Sequence, residues 1–301
     1  MTRTILQFNE VVLRNRFDYV REMSTGRAGS KSLDRSRGSR ICLMRQRATL
    51  LFILLVSIAP ARSAPRPTVL IELFTSEGCS SCPAADALLQ RLVEASPRSA
   101  ADDVAVVALG EHVDYWNHQG WKDRFSSAAL TNRQQLYAAR FNVASIYTPQ
   151  MVVDGRAALV GSDASAARRA IDRAAAAPHG VVRIAIEKPF PDLSVVVDVS
   201  ELPAIGRGDR ADILLAVTED HLTSHVTRGE NHGRVLSHVA VVRRLVTIGE
   251  ANGPSASARA AVAIAPDWQR DHLKLVAFVQ ERRGRTILAS AASSIGTMSR
   301  P

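Results

Sequence analysis

Residues 74–83 read Phe74-Thr-Ser-Glu-Gly-Cys79-Ser-Ser-Cys82-Pro83 directly after the apolar run Val69-Leu70-Ile71. A strand feeding a Cys-x-x-Cys that opens a helix constrains this chain more than any other feature, because it is an arrangement for making and breaking disulfides. No second cysteine pair completes a four-sulfur zinc site. No His follows Cys82, so haem attachment is not signalled either. In such a motif the helix dipole and free backbone N–H groups favour thiolate, and a cysteine pKa falls from about 8.5 to roughly 3.5–7.5. Cys79 is accordingly expected to be the exposed nucleophile. Cys82, one turn on, is expected to resolve the mixed disulfide. Pro83 is tolerated in the first turn, where its missing N–H is no loss.

Residues 44–64 carry Arg45 and Arg47, an apolar core from Ala48 to Ile58, and small residues around Ser63 and Ala64. This is the layout of a cleavable signal peptide, too short in its apolar core for a comfortable membrane span. Met44 stands where such a signal would start, so residues 1–43 are expected to be a mis-assigned or disordered extension. A periplasmic or secreted location follows, with no stable span after cleavage.

The charge balance changes meaning under that division. Residues 1–63 hold twelve Lys/Arg and four Asp/Glu, which is +8 of the chain's +9. The other 238 residues carry 26 basic and 25 acidic side chains. A basic chain suggests nucleic acid or anionic membrane, but that inference rests on the leader, and no nucleic-acid partner is expected. Cys42 precedes Met44, leaving the mature chain with Cys79 and Cys82 alone. In an exported protein a lone Cys-x-x-Cys points to chemistry rather than stapling.

From 65 to 179 strand-like and helix-like segments alternate. Strands are expected at Val69–Phe74, Val104–Leu109, Met151–Val153 and Ala158–Val160. Helices are expected over Pro83–Ala95, from Thr131 to Arg140, and from Ser162 or Asp163 to about Ala177. This is an α/β pattern. After Gly180 the rhythm becomes strand and turn. About seven short strands, from Val181–Ile186 to Thr286–Ala292, predict a small antiparallel β-sandwich-like domain over 180–298. Val235–Ile248 also fits a helical period.

Tyr147-Thr148-Pro149 precedes the third strand of the first domain. A cis Thr148–Pro149 bond facing the cysteines would present backbone groups to an extended substrate, whereas the alternative is an ordinary trans turn proline. Glu72, on the first strand, is a candidate acid for the proton of the resolving cysteine, provided strand alternation points it that way. The connection Glu111–Ser127 gathers Tyr115, Trp116 and Trp121 and is read as a groove wall, with a self-packed loop as the alternative. His112, Asp114 and His118 could join the sulfurs around Cu(I) or zinc. Asn231, His232 and His238 read as hydrogen-bonded or exposed side chains.

Together, Thr75-Ser-Glu-Gly-Cys79-Ser-Ser-Cys82-Pro83-Ala-Ala-Asp86, His112-Val-Asp-Tyr-Trp116, Gly120-Trp-Lys-Asp123 and Tyr147-Thr-Pro-Gln-Met-Val-Val-Asp154-Gly155 resemble a bacterial family of secreted thioredoxin-like proteins catalogued as a domain of unknown function (domain of unknown function 1223). The resemblance runs from about Thr68 to the C-terminus. It implies a thioredoxin-like first domain and an exported location, and it supplies no substrate.

The expectation is therefore an exported thiol–disulfide oxidoreductase acting on protein or peptide cysteines. Cys79, Cys82 and Glu72 would do the chemistry, while Tyr147, Thr148, Pro149, Trp116 and Trp121 would hold the substrate. No cofactor and no resident metal are expected. The alternatives are a periplasmic copper metallochaperone and a non-catalytic binding protein on the same scaffold. Neither the oligomeric state nor the direction of electron flow follows from the sequence.

Overall fold

Val69, Leu70, Ile71, Leu73 and Phe74 are all fully buried, which marks the first strand as one with apolar cover on both faces. A computed structural model of the chain describes residues 67–95, 104–188 and 192–295. The expected extension 1–43, the signal peptide 44–64 and Cys42 lie outside the described residues.

The first half runs β1 (Thr68–Thr75), α1 (Cys82–Glu94), β2 (Ala105–His112), α2 (Ala128–Phe141), β3 (Gln150–Val153), β4 (Ala157–Val160) and α3 (Ala164–Ala175). β1 pairs parallel with β2 and antiparallel with β3, and β3 pairs antiparallel with β4. Strand alternation then sorts the side chains. Val69, Ile71 and Leu73 pack with Ala85, Leu88 and Leu89 of α1 and Ala167, Ala170 and Ile171 of α3. Leu70 and Phe74 lie on the opposite face with Leu130 and Tyr137 of α2.

Helix boundaries follow local chemistry. Ser127 caps α2 by accepting from Leu130 N at 3.3 Å. Thr131, the expected cap, lies inside the helix and donates to Asp114 Oδ1 at 2.6 Å. Asn142 ends α2 in the left-handed region, which Asn tolerates better than most residues. Asp163 caps α3 through Ala166 N at 2.8 Å.

The second half is all strand: β5 (Val181–Lys188), β6 (Asp192–Ser200), β7 (Ala211–Glu219), β8 (Leu222–His225), β9 (Val235–His238), β10 (Val241–Ala251), β11 (Ala256–Ala263), β12 (Leu273–Glu281) and β13 (Ile287–Ser294), with a 3-10 turn at Arg270–His272. The helical alternative for Val235–Ile248 is not what forms. Ala240, at φ 53°, breaks that segment into two strands. β8 was not expected from the sequence; it pairs with β9 as a hairpin.

An eight-stranded sheet runs β13-β12-β7-β10-β2-β1-β3-β4 through both halves. The sandwich expected as a separate domain from residue 180 is thus only half separate. Its three-stranded sheet, β11-β6-β5, lays Leu193, Val195, Val197 and Val199 on Ile213, Leu215, Leu275 and Ala277 of the large sheet. Each such buried aliphatic side chain contributes about 1.5–3 kcal/mol. The residues from Ala64 onward form one compact unit. The seam is also fixed from the turn after β3, where Ile287 N donates to Asp154 O at 2.9 Å. Gly155 follows at φ 62°, and a Cβ there would lie 1.8 Å from the Arg285 carbonyl oxygen. Only glycine fits that approach.

Candidate functional site around the cysteine pair

Between β1 and α1 the chain turns twice. Cys79 N donates to Ser76 O and Cys82 N to Cys79 O, both at 3.2 Å. These turns bring the two Cα atoms to 5.4 Å, and Cys79 and Cys82 form a disulfide. The helix begins at Cys82 rather than at Cys79, with Ser81 at its N-cap making no side-chain cap bond and Pro83 in the first turn.

The expected exposure of Cys79 is corrected by the structure. Cys79 is 1 % exposed and Cys82 0 %, while Ser80 and Ser81 face solvent. The cover comes from the second half. The tip of the β8–β9 hairpin reaches the cysteine loop, where Asn231 Nδ2 donates to the carbonyls of Glu77 (2.8 Å) and Cys79 (2.9 Å). Glu230 Oε2 accepts from Ser80 N at 3.0 Å. A residue expected to be merely hydrogen-bonded thus holds the loop, about 150 residues away in sequence.

On the other side lie the aromatics of the Glu111–Ser127 connection. Trp116 packs on the loop at Gly78, where a Cβ would lie 3.1 Å from the Trp116 Cβ. Its indole N–H donates to Thr148 Oγ1 at 2.8 Å. Trp121 donates to Glu77 Oε2 at 2.7 Å. The Thr148–Pro149 peptide is cis. Pro149 and Ala85 of α1 both crowd Gly161, at 3.0 and 3.1 Å from a Cβ built there. The Tyr147 carbonyl accepts from Gln134 Nε2 at 2.7 Å. Trp116, Thr148 and Pro149 therefore line one continuous rim beside the cysteine loop, and Trp121 anchors its far side.

Glu72 is corrected as well. It lies on the α2 face of β1, away from α1, because alternation sends Ile71 and Leu73 toward α1 instead. Its Oε1 accepts from Arg133 Nε at 2.6 Å, and its Oε2 accepts from Tyr137 Oη. Arg133 also reaches Glu111 at 3.2 Å and Gln280 of β12 at 3.0 Å. Burial, then the neighbouring Glu72, push the Glu111 carboxyl well up. This is a buried cross-link, far from the sulfurs in topology.

The acid on the correct face is Asp86, one turn after Cys82 on α1 and with 10 % of its side chain exposed. Burial raises its carboxyl above the ordinary range, against the pull of His238 and His112. His238 stands between two acids, its Nε2 3.3 Å from Glu77 Oε1 and its Nδ1 3.8 Å from Asp86 Oδ2. The rings of His238 and His112 meet edge to face at 4.9 Å. His112 Nδ1 lies 2.6 Å from Asp123 Oδ2. Burial pulls the His112 pKa down, but the Asp123 charge and hydrogen bond, with Asp86 and Glu77, outweigh it and hold it above its ordinary value. Burial pushes the Glu77 carboxyl up, and the neighbouring His238, with Ser224 and the Trp121 indole, outweighs that and holds it low. The space enclosed by Thr75, Asp86, His112 and His238 is too tight for a water, and the Thr75 hydroxyl and the His112 Nε2 in it have no hydrogen-bond partner.

Among the described residues no three His, Cys, Asp or Glu side chains stand together to hold a metal. His112 is committed to Asp123, Asp114 to Thr131, and His118 is exposed.

Residues 70–280 match a family described as a protein of unknown function (DUF1223). The chain belongs to this family. The fold is similar to the crystal structure of a protein from Agrobacterium tumefaciens, 23 % identical, covering 79 % of this chain and 98 % of that one with a TM-score of 0.61. It is also similar to HBP35 of Porphyromonas gingivalis, 14 % identical, covering 78 % of this chain and 79 % of that one with a TM-score of 0.54. At these identities the likeness concerns the fold. None of the curated proteins matches the chain. Among the described residues no helix is long and apolar enough to cross a membrane.

Proposed function

We propose that this protein is an exported thiol–disulfide oxidoreductase acting on protein or peptide cysteines, with a thioredoxin-like unit over residues 65–179. The unit is supported by the strand order β2-β1-β3-β4, with α1 and α2 following β1 and β2 and α3 closing the segment. Export rests on the signal-like segment 44–64. The observation that carries the reaction is the Cys79–Cys82 pair at the start of α1, with Asp86, whose carboxyl burial raises, one turn behind it.

In the exchange, a partner thiolate attacks the Cys79 sulfur. The S–S bond breaks, leaving a mixed disulfide at Cys79 and a thiolate at Cys82. Asp86, one turn behind Cys82 on the same helix, is the candidate source of the proton that Cys82 takes up. The partner's second thiolate then attacks its own sulfur in the mixed disulfide and expels Cys79 as thiolate, which is protonated in turn. Two electrons pass to the pair and the partner leaves as a disulfide. Run backwards, the same steps reduce a partner.

The burial of Cys79 favours a second reading, a binding protein whose disulfide is structural. Under the redox reading the hairpin tip at Glu230-Asn231 must lift for a partner to reach the sulfur. Incubating the protein with a dithiol peptide separates the two. Given the same peptide in its disulfide form, the redox reading expects Cys79 of Cys82→Ser to attack it and accumulate a mixed disulfide, and Cys79→Ser to form none. It also expects Asn231→Ala, which removes two bonds to the loop, to exchange about tenfold or more faster, as loss of roughly 1.4 kcal/mol of cover would give. A folded protein whose disulfide resists exchange down to about −300 mV, in wild type and Asn231→Ala alike, is the scaffold.

A further inference from the structure

We propose that the cleft between α2 and the strands β7, β10 and β12 is a binding groove for an amphipathic organic anion, a single carboxylate-like head on an apolar body. β10 meets β2 at one position only, Val241 opposite Gly110. From there it runs with β7, with register shifts at Val242/Arg244 and Thr247/Gly249. Beside these irregularities a cleft lies between α2 and the strands β7, β10 and β12, on the other side of the sheet from α1 and its cysteines. The opening is a groove of about 500 Å3, within the range of roughly 300–1,000 Å3 that small-molecule sites occupy.

Its walls include Leu130, Leu214, Val242 and Leu245, with Leu136 among the lining residues. Leu136 is 49 % exposed, one of three large hydrophobic side chains left so open among the described residues. An apolar body lying along α2 would cover it.

The head would meet guanidinium groups. Arg133 is 7 % exposed, and its Nη2 has no hydrogen-bond partner although Nε and Nη1 are satisfied by Glu72, Glu111 and Gln280. Arg285, half-buried in the same groove, is held in the left-handed region at φ 57°. Its side chain makes no hydrogen bond or ion pair among the described residues, and burial, then the charge of Arg133, depress its pKa. Exposed Arg244 lies on the strand that forms the other wall. The one acid lining the groove, Asp212, is already bonded to Arg282 at 2.8 Å. Positive charge without a free counter-ion, beside an exposed leucine, selects an anion with an apolar tail rather than a bare inorganic ion.

The probe is dodecanoate, titrated calorimetrically into the intact protein below its micelle concentration, with dodecanol as the uncharged control. Saturable one-to-one binding is expected, at least tenfold tighter for dodecanoate than for dodecanol. Arg285→Gln should weaken it at least tenfold. Leu136→Asp, at an exposed position that leaves folding intact, should weaken it as much. Cys79→Ser/Cys82→Ser should bind as wild type does, which separates this site from the redox reading. Absence of saturable binding, equal affinity for the alcohol, or unchanged affinity in Leu136→Asp overturns the proposal.

Discussion

At Asp123 one carboxylate serves three donors: Glu77 N at 2.9 Å, Phe125 N at 2.9 Å and the imidazole of His112. Burial alone would raise its pKa, but the charge and bond of His112, followed by the backbone bonds, bring it below the ordinary 3.8. The linkage has two signs. The lowered Asp123 stabilises the fold above its unfolded value and loses that contribution as pH falls through the folded one. The raised His112 stabilises below its unfolded value of 6.5 and loses that contribution as pH rises through the folded one. The stability difference between wild type and Asp123→Asn, measured by urea unfolding, should therefore be greatest between about pH 3.8 and 6.5 and shrink on either side. A difference independent of pH would remove the ionic account. None of this was legible in His112 or Asp123 as letters. The ten residues between them were readable as an aromatic-rich connection, but which ring faces which acid depends on the path of a loop that follows no period.

Secondary structure sorts the two buried acid systems onto opposite faces of β1, and they should respond differently to neutralisation. Glu72→Gln removes the carboxylate that takes both Arg133 Nε, at 2.6 Å, and Tyr137 Oη, and breaking a buried pair from one side costs roughly 3–5 kcal/mol. Glu111→Gln removes the longer contact, 3.2 Å, from a carboxyl that burial holds well up, and should cost less than about 1 kcal/mol. Equal losses in a denaturant titration would contradict that ranking. The strands β1, β2 and β3 and the three helices were readable because period-2 and period-3.6 apolar patterns survive in the sequence. The polar stripe of α2 was not, since Arg133, Gln134 and Tyr137 are buried by partners on β1, β3 and β12 rather than by their own hydrophobicity. For the same reason the sequence pointed to Glu72 on β1 as the candidate acid, although Asp86, four residues after Cys82, was visible on the helix.

For the molecule as a whole, the boundary that composition suggests near residue 180 separates two rhythms and not two folding units. β2 has β10 as its neighbour, and α2 rests on Leu214, Ala216, Val276 and Phe278 from the second half. A chain ended at residue 179 would expose that apolar face of α2, lose Gln280 from Arg133 and leave Asn231's two carbonyls without their donor. It is expected to lack a cooperative thermal transition, whereas the chain from residue 65 should melt as one unit. An isolated first half that unfolds cooperatively would show that the shared sheet is dispensable. The sharing was illegible because strand order is set by pairings across more than a hundred residues, which no local pattern records. The hairpin tip adds a consequence in time. Because ribosomes deliver the amino-terminal part first, both thiols emerge long before the asparagine that will roof them. Their oxidation has an open window during biogenesis, and it closes when the last strands arrive.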